Sequence, residues 1–352
     1  MDILVEEKYV KQAAELHRDY PVVDAHLDLA GEILIRRQLG EKNIIREHYL
    51  KNWRNAGMNL VVSSVYVPTK ILKQGGTGAA WDNALKQIGA LAEEIQETEE
   101  VMFVRNRKEL AQAAQGEKTG ILVYMEGLDC IGEKLERLEA LYEMGVRGAS
   151  LTWSRKNALA AGCCKAGERI QITGGLTKKG KEAVKELERL SMFLDVSHLN
   201  DDGFEDLKKT AKKPFCATHS CAKAVYENYR NLTDAQMEYL AAQGGVMGLN
   251  GCKYIAGSLS GNHLEMLCRH GEYEIEKAGK AHVGFGFDLC DSYDEADSAL
   301  EGKICGEKCD CLLHHGQIPL LTAAFLQRGM SEETAAGMIG GNFMHYFDSV
   351  LP

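Results

Sequence analysis

Eight short runs of apolar or β-branched residues recur along the chain at intervals too long for hairpins, with helix-period sequence between them. They are Val22 to His26, Leu60 to Tyr66, Ile121 to Glu126, Gly148 to Trp153, Met192 to Ser197, Phe215 to His219, Gly245 to Leu249 and His282 to Asp288. Parallel strands need a crossover, usually a helix, so this spacing predicts βα units. Several runs are apolar at nearly every position, as strands covered on both faces are. Between them, Leu135, Leu138, Leu141 and Tyr142 share a stripe in 133–143, and Thr177 opens an amphipathic run with Val184, Leu187 and Leu190. The expected fold is α/β, a (β/α)8 TIM-type barrel. A doubly wound open sheet is the alternative, but AHLDLAG after the first run is no glycine-rich phosphate turn. Gly75, Gly76 and Gly78 lack a third glycine and a strand-to-helix setting, so no nucleotide role is assigned to them.

The 352 residues, 45% of them apolar, show no repeat and no linker, which predicts a single domain over 1–352. Longer βα insertions are expected after the second, fourth and eighth strands. A formal charge of -10 repels phosphate backbones and anionic lipid, so neither nucleic acid nor a membrane is an expected partner. MDILVEEKYVKQ carries acids where a signal peptide needs bases, no segment approaches 18 consecutive apolar residues, and FDSVLP is no anchor signal. The expectation is a soluble cytoplasmic protein, with a homodimer as the default association. Eleven cysteines in such a chain read as reduced thiols. Cys305, Cys309 and Cys311, followed by His314 and His315, can bind metal, but their spacing is not that of paired C-x-x-C knuckles, and free thiols are expected there.

Residues able to bind metal stand at the ends of these runs, the barrel face where side chains from different strands converge. His26 and Asp28, in VVDAHLD, lie at i and i+2, on the same side of an extended segment. Glu126 ends ILVYME, where a carboxylate is costly to bury unless paired, capped or ligated. His198 in MFLDVSH and His219 in PFCATHS each close an apolar run, and either suits a metal or a hydrogen-bonded core histidine. Asp288 closes HVGFGFD, with a helix cap or salt bridge as its structural alternative. Five runs ending this way give three histidines and three carboxylates, a set that can hold two metals sharing a carboxylate. Imidazole and carboxylate without thiolate favour zinc, with manganese or cobalt as alternatives. Cys221, beside His219, is read as a bystander.

The segments VVDAHLD, LVYMEG, GLTKKGKEAVKELERLSMFLDVSHLND, PFCATHSCAKAVYENYRNLTD, HVGFGFD and IGGNFMHYF resemble, in order and spacing, the renal (membrane) dipeptidase family of metallopeptidases, from about Val22 to Phe347. The resemblance implies a barrel with two zinc ions, His26 and Asp28 on one, His198 and His219 on the other, and Glu126 bridging. It implies a bridging hydroxide that attacks a peptide carbonyl, with Asp288 as acid/base. Arg230, in YRNLTD, matches the arginine that reads the substrate carboxylate, for which a two-pronged donor is suited. Tyr254, in KYIAG, falls near a family tyrosine beside that carboxylate. Mammalian members carry a histidine after Leu-Thr where this chain has Trp153, and indole neither accepts a proton nor acts as an acid. Trp153 is read as a pocket wall or as a packing residue at the barrel rim.

The leading expectation is a zinc dipeptidase acting on free dipeptides, including those with a C-terminal D-residue, as the resemblance implies. The alternative keeps barrel and metals but cleaves a cyclic amide or lactone. A non-catalytic metal-binding barrel is the third reading, against which Asp288 and Arg230 argue, since zinc binding alone needs neither.

Overall fold

A computed structural model describes residues 2–164 and 172–352. Its strands are β1 (Val22–Leu27), β2 (Met58–Tyr66), β3 (Val101–Phe103), β4 (Thr119–Glu126), β5 (Val146–Ser150), β6 (Phe193–Asp195), β7 (Ala217–Ser220), β8 (Met247–Leu249) and β9 (Val283–Phe285). Parallel pairing runs β1-β2-β4-β5-β6 in one sheet and β7-β8-β9 in a second. A parallel bridge between Asp195 and Cys216 joins them on one side. On the other, Asp288 N donates to His26 O (3.2 Å) and Phe287 N to Asp24 Oδ1 (2.9 Å), which closes the barrel from β9 to β1. All eight expected strands are therefore present.

The corrections concern boundaries. The run from Gly148 to Trp153 is strand only over Val146–Ser150, so Trp153 lies in the loop beyond β5. His198 and Asp288 likewise sit past the ends of β6 and β9. β3 has no place in the expected set and pairs only with the start of β4, where Val101 faces Thr119. Gly75 and Gly76 fall inside the long helix Thr69–Glu97 after β2, and Gly76, with φ 60°, breaks its regularity. The expected cap at Thr177 is present, its hydroxyl accepting from Gly180 N at the start of the helix Lys178–Arg189.

Alternation along the strands separates two apolar layers. Val61, Ile121, Val123 and Met125 face outward, in one cluster with Ile88, Leu91, Leu138 and Leu141 of the surrounding helices. Val23, Ala25, Leu60, Val62, Leu122, Tyr124 and Phe193 point into the barrel, whose floor is closed by Phe343, Tyr346 and Phe347 of the C-terminal helix Asn342–Val350. Gly148 is required here, because a Cβ on it would lie 2.3 Å from the Phe193 ring. The apolar floor packs the N-terminal end of the barrel interior. No helix among the described residues is long and apolar enough to cross a membrane.

Candidate active site

His26, Asp28, Glu126, His198, His219 and Asp288 converge at the C-terminal ends of the strands. Glu126 Oε1 lies at the centre, 2.8 Å from His198 Nε2, 3.4 Å from His219 Nε2 and 3.7 Å from His26 Nε2. His26 Nε2 is 3.8 Å from Asp28 Oδ1 and 3.5 Å from Asp288 Oδ1. Donor atoms sharing one tetrahedral zinc at about 2.0–2.1 Å stand about 3.3 Å apart, and the spacings here bracket that value. His26 Nε2 is buried with no hydrogen-bond partner, a costly arrangement in a protein interior unless that nitrogen is a ligand.

Second-layer groups aim each ring. Thr218 Oγ1 donates to Asp195 Oδ2 (2.9 Å), which uses its single proton, so it accepts from His219 Nδ1 (2.8 Å). The Tyr124 hydroxyl lies 2.8 Å from His26 Nδ1. Ser154 Oγ lies 2.9 Å from His198 Nδ1. In His219 the Nδ1 proton is thereby fixed, leaving Nε2 with its lone pair toward Glu126, the tautomer a ligand needs. Ser64 holds Asp28 by a hydroxyl donation to Oδ1. None of these supports was singled out from sequence. Tyr124 carried a signal, two residues before Glu126 on the same face of β4, and Asp195 another, as a carboxylate inside an apolar run.

Local backbone departures place the ligands. Val23 and Ala25 point inward, so strict alternation would turn His26 outward. The β1-β2 register shifts between Asp24 and Leu27, and Asp24 Oδ1 accepts from His26 N (3.2 Å) as well as from Phe287 N. A similar shift between Ala217 and Ser220 in β7 re-aims His219. Asp288 adopts φ 56°, a left-handed conformation that costs a non-glycine residue energy and is characteristic of functional sites. Its Oδ2 accepts from Asn250 Nδ2 at 3.3 Å.

Burial dominates the electrostatics. It holds the imidazoles of His26, His198 and His219 well below their usual range, with the Arg230 charge adding to it in each. It raises Asp28 to about 6 and Glu126 and Asp288 further, the latter two also through repulsion from Asp28. Unprotonated imidazoles together with crowded carboxylates make a donor set that a divalent cation satisfies, since ligation needs the former and neutralises the latter.

The cluster opens into a cavity of about 430 Å³ whose wall includes Tyr66, Trp153, Arg230, Cys252, Cys290 and Tyr293. Arg230 is 2% exposed, and its guanidinium donates to Ser197 O and, at 3.1 Å, to His219 O. The Trp153 ring packs 5.0 Å from Tyr66 and 5.6 Å from the His198 ring. Tyr254 is a correction: it belongs to the short helix Lys253–Ala256, its hydroxyl donates to Glu307 Oε2 (3.3 Å), and it is not part of the cavity wall. Its neighbours Cys252 and Ile255 line the wall in its place.

The cysteine-histidine group near the C-terminus disperses. His315 Nε2 binds Asp24 Oδ2 at 2.9 Å and steadies the irregular strand β1, while Cys311 Sγ meets Ser258 Oγ at 3.1 Å. Cys309 turns instead toward Cys252 and Cys290, and hydrogen bonds from these two thiols hold it down to about 3. No disulfide forms among the described residues. Cys221, buried with Sγ donating to Asn250 O (3.4 Å), stays out of the cluster.

Parallel eightfold closure with imidazoles and carboxylates gathered at the C-terminal face defines a TIM-type barrel with a candidate metal site. Residues 10–350 match the membrane dipeptidase family, peptidase family M19, and the chain belongs to that family. Dipeptidase 3 of Macaca fascicularis is 26% identical over 349 residues, 96% of this chain and 66% of that protein, so the chain spans just under two thirds of that relative's length. Two solved structures share the fold over 94% of this chain and 99% of their own, each at 24% identity. One is dipeptidase AC, described as a metallo peptidase, with a TM-score of 0.81. The other is a metallo peptidase from Rhodobacter sphaeroides liganded with a phosphinate mimic of the dipeptide L-Ala-D-Ala, with a TM-score of 0.80.

Proposed function

We propose that this protein is a binuclear zinc dipeptidase whose single domain, 1–352, hydrolyses the peptide bond of free dipeptides. The observation that carries the reading is Glu126 Oε1 within 3.7 Å of three imidazole nitrogens, one of them otherwise unpartnered. In this reading His26 and Asp28 hold one cation, His198 and His219 the other, and Glu126 both. Such a pair of cations supplies Lewis-acid polarisation of the scissile carbonyl and a nucleophile at neutral pH.

The chain's own residues bind the ends of the substrate and move the proton. Asp288, aimed by its left-handed backbone and held by Asn250, takes a proton from the nucleophile at Oδ1 and passes it to the leaving amine. Its burial-raised pKa suits the protonated half of that cycle. Arg230 spends two of its N–H groups on backbone carbonyls, which fixes the guanidinium and leaves further donors for the substrate carboxylate. Trp153 and Tyr66 form an aromatic wall beside His198, where a bound side chain is shielded from water. The L-Ala-D-Ala mimic bound by the Rhodobacter sphaeroides peptidase supports including a C-terminal D-residue among the substrates.

The test is hydrolysis by zinc-reconstituted protein of L,L and L,D dipeptides, each beside its C-terminally amidated form. Cleavage of the free dipeptides but not of the amides is expected. No cleavage of any of them with two metals bound would overturn the reading in favour of a cyclic amide or lactone, with Trp153 shaping the different pocket.

A further inference from the structure

Outside the imidazole-carboxylate cluster, the cavity wall contains a second group of metal-capable side chains, and these are sulfur. Cys252 follows β8, Cys290 follows β9, and Cys309 comes from the segment after the helix Asp291–Leu300. Three stretches of chain thus bring thiols to one side of the wall, with Cys290, Cys309 and Asp310 forming a group able to hold a metal. Cys290 Sγ and Cys309 Sγ are 3.9 Å apart, and the Cys252 thiol interacts electrostatically with Cys309. Asp310 Oδ1 stands 3.8 Å from Cys309 Sγ.

The spacing is informative. Two thiolates on one tetrahedral zinc, with Zn–S near 2.3 Å, stand about 3.8 Å apart, the separation found between Cys290 and Cys309. The backbone around the thiols is tied down as the shell behind a metal site commonly is. Cys309 N donates to Asp291 Oδ1 (2.7 Å), Cys309 O accepts from Lys253 N (2.8 Å), and Cys252 N donates to Asn250 Oδ1 (2.7 Å). Asp310 accepts from Cys290 N (3.1 Å) and Asp291 N (3.0 Å), which locks the Cys290 turn onto the Cys309 segment. Cys252 and Cys290 also line the substrate cavity, so an ion has a path to the sulfurs.

The geometry points to a separate thiophilic metal site, Cys290, Cys309 and Asp310 with the Cys252 thiol adjacent, that takes a soft divalent cation of the zinc class and clamps the 301–311 segment against the active-site wall. Sulfur donors distinguish it from the nitrogen and oxygen donors around Glu126, and two thiols and a carboxylate whose ligand atoms all lie within 4.8 Å of one another suit one ion.

Cobalt(II) tests this in the intact protein, purified under reductant. Thiolate coordination gives an intense sulfur-to-cobalt charge-transfer absorption in the near ultraviolet, which imidazole and carboxylate ligands cannot produce. The expected result is that band in the wild type, its loss in Cys309→Ser and in Cys290→Ser, and its retention in Cys268→Ser, a buried thiol elsewhere. Zinc analysis should show one equivalent fewer in the first two variants. A wild type that takes up cobalt without the band overturns the inference, whatever the variants do, as does a band that survives Cys309→Ser. The readout is independent of peptide hydrolysis, so failure of the dipeptidase reading leaves it standing or falling by itself.

Discussion

Replacing Thr218 by valine tests whether the buried relay behind the histidines sets metal affinity. The side chain is fully buried and valine has nearly its shape, so the change removes one hydroxyl. That hydroxyl is the partner of Asp195 Oδ2 at 2.9 Å and of His219 Nδ1 at 2.8 Å. Each buried group left unpaired costs about 1–3 kcal/mol, so the fold loses about 2–6 kcal/mol, less whatever valine regains by packing. Without its acceptor, the His219 Nδ1 proton no longer selects the tautomer that turns the Nε2 lone pair toward Glu126. Loss of such an outer partner weakens metal binding about 10–100-fold, equivalent to about 1.4–2.7 kcal/mol. The assay is zinc competition against a chelator of known affinity, beside denaturant unfolding of the metal-free protein. Zinc affinity within about twofold of wild type, in a variant destabilised as expected, would refute the relay and leave Thr218 a packing residue.

Asp288→Asn is expected to keep its metal content and lower kcat by about 100-fold or more, the range general acid/base groups supply; an unchanged kcat removes Asp288 from the mechanism. Trp153→Ala should raise KM by about tenfold with kcat kept within a few-fold, as loss of an aromatic wall does, and an equal fall in kcat would instead place the indole in the chemistry. His270 is buried with its imidazole lowered to about 4 by burial, so between pH 6.5 and 4 the unfolded chain binds a proton that the folded chain does not. Its contribution to stability is therefore lost as pH falls, by about 2 kcal/mol between pH 7 and pH 5. Urea unfolding at both pH values should show that difference shrinking in His270→Gln, and an identical pH dependence in the two proteins contradicts the assignment.

The eightfold βα pattern was legible because it is local: an apolar run covered on both faces looks the same wherever it sits in a barrel. β3 was missed for the same reason, since Val101–Phe103 is too short to differ from a turn until the start of β4 is beside it. Helix caps at Thr177 and strand-terminal ligand types were equally local signals. Tyr254 shows the limit of proximity in sequence: two residues from Cys252, it turns to Glu307 while Cys252 faces the cavity.

By itself the sequence determined the barrel, the face of it at which the candidate site lies, and the six imidazole and carboxylate side chains that gather there, because strand period and strand end are properties of neighbouring residues. What only the tertiary structure decided is their aim. Strict alternation turns His26 away from the barrel interior. It is brought back by a register shift that Asp24 stabilises through Phe287, 263 residues away, and that His315, 291 residues away, braces. The thiols of Cys252, Cys290 and Cys309 likewise become neighbours only when the barrel closes. Hydrogen bonds between segments far apart in the chain have no period to read, so the orientation of a ligand emerges only when those segments meet.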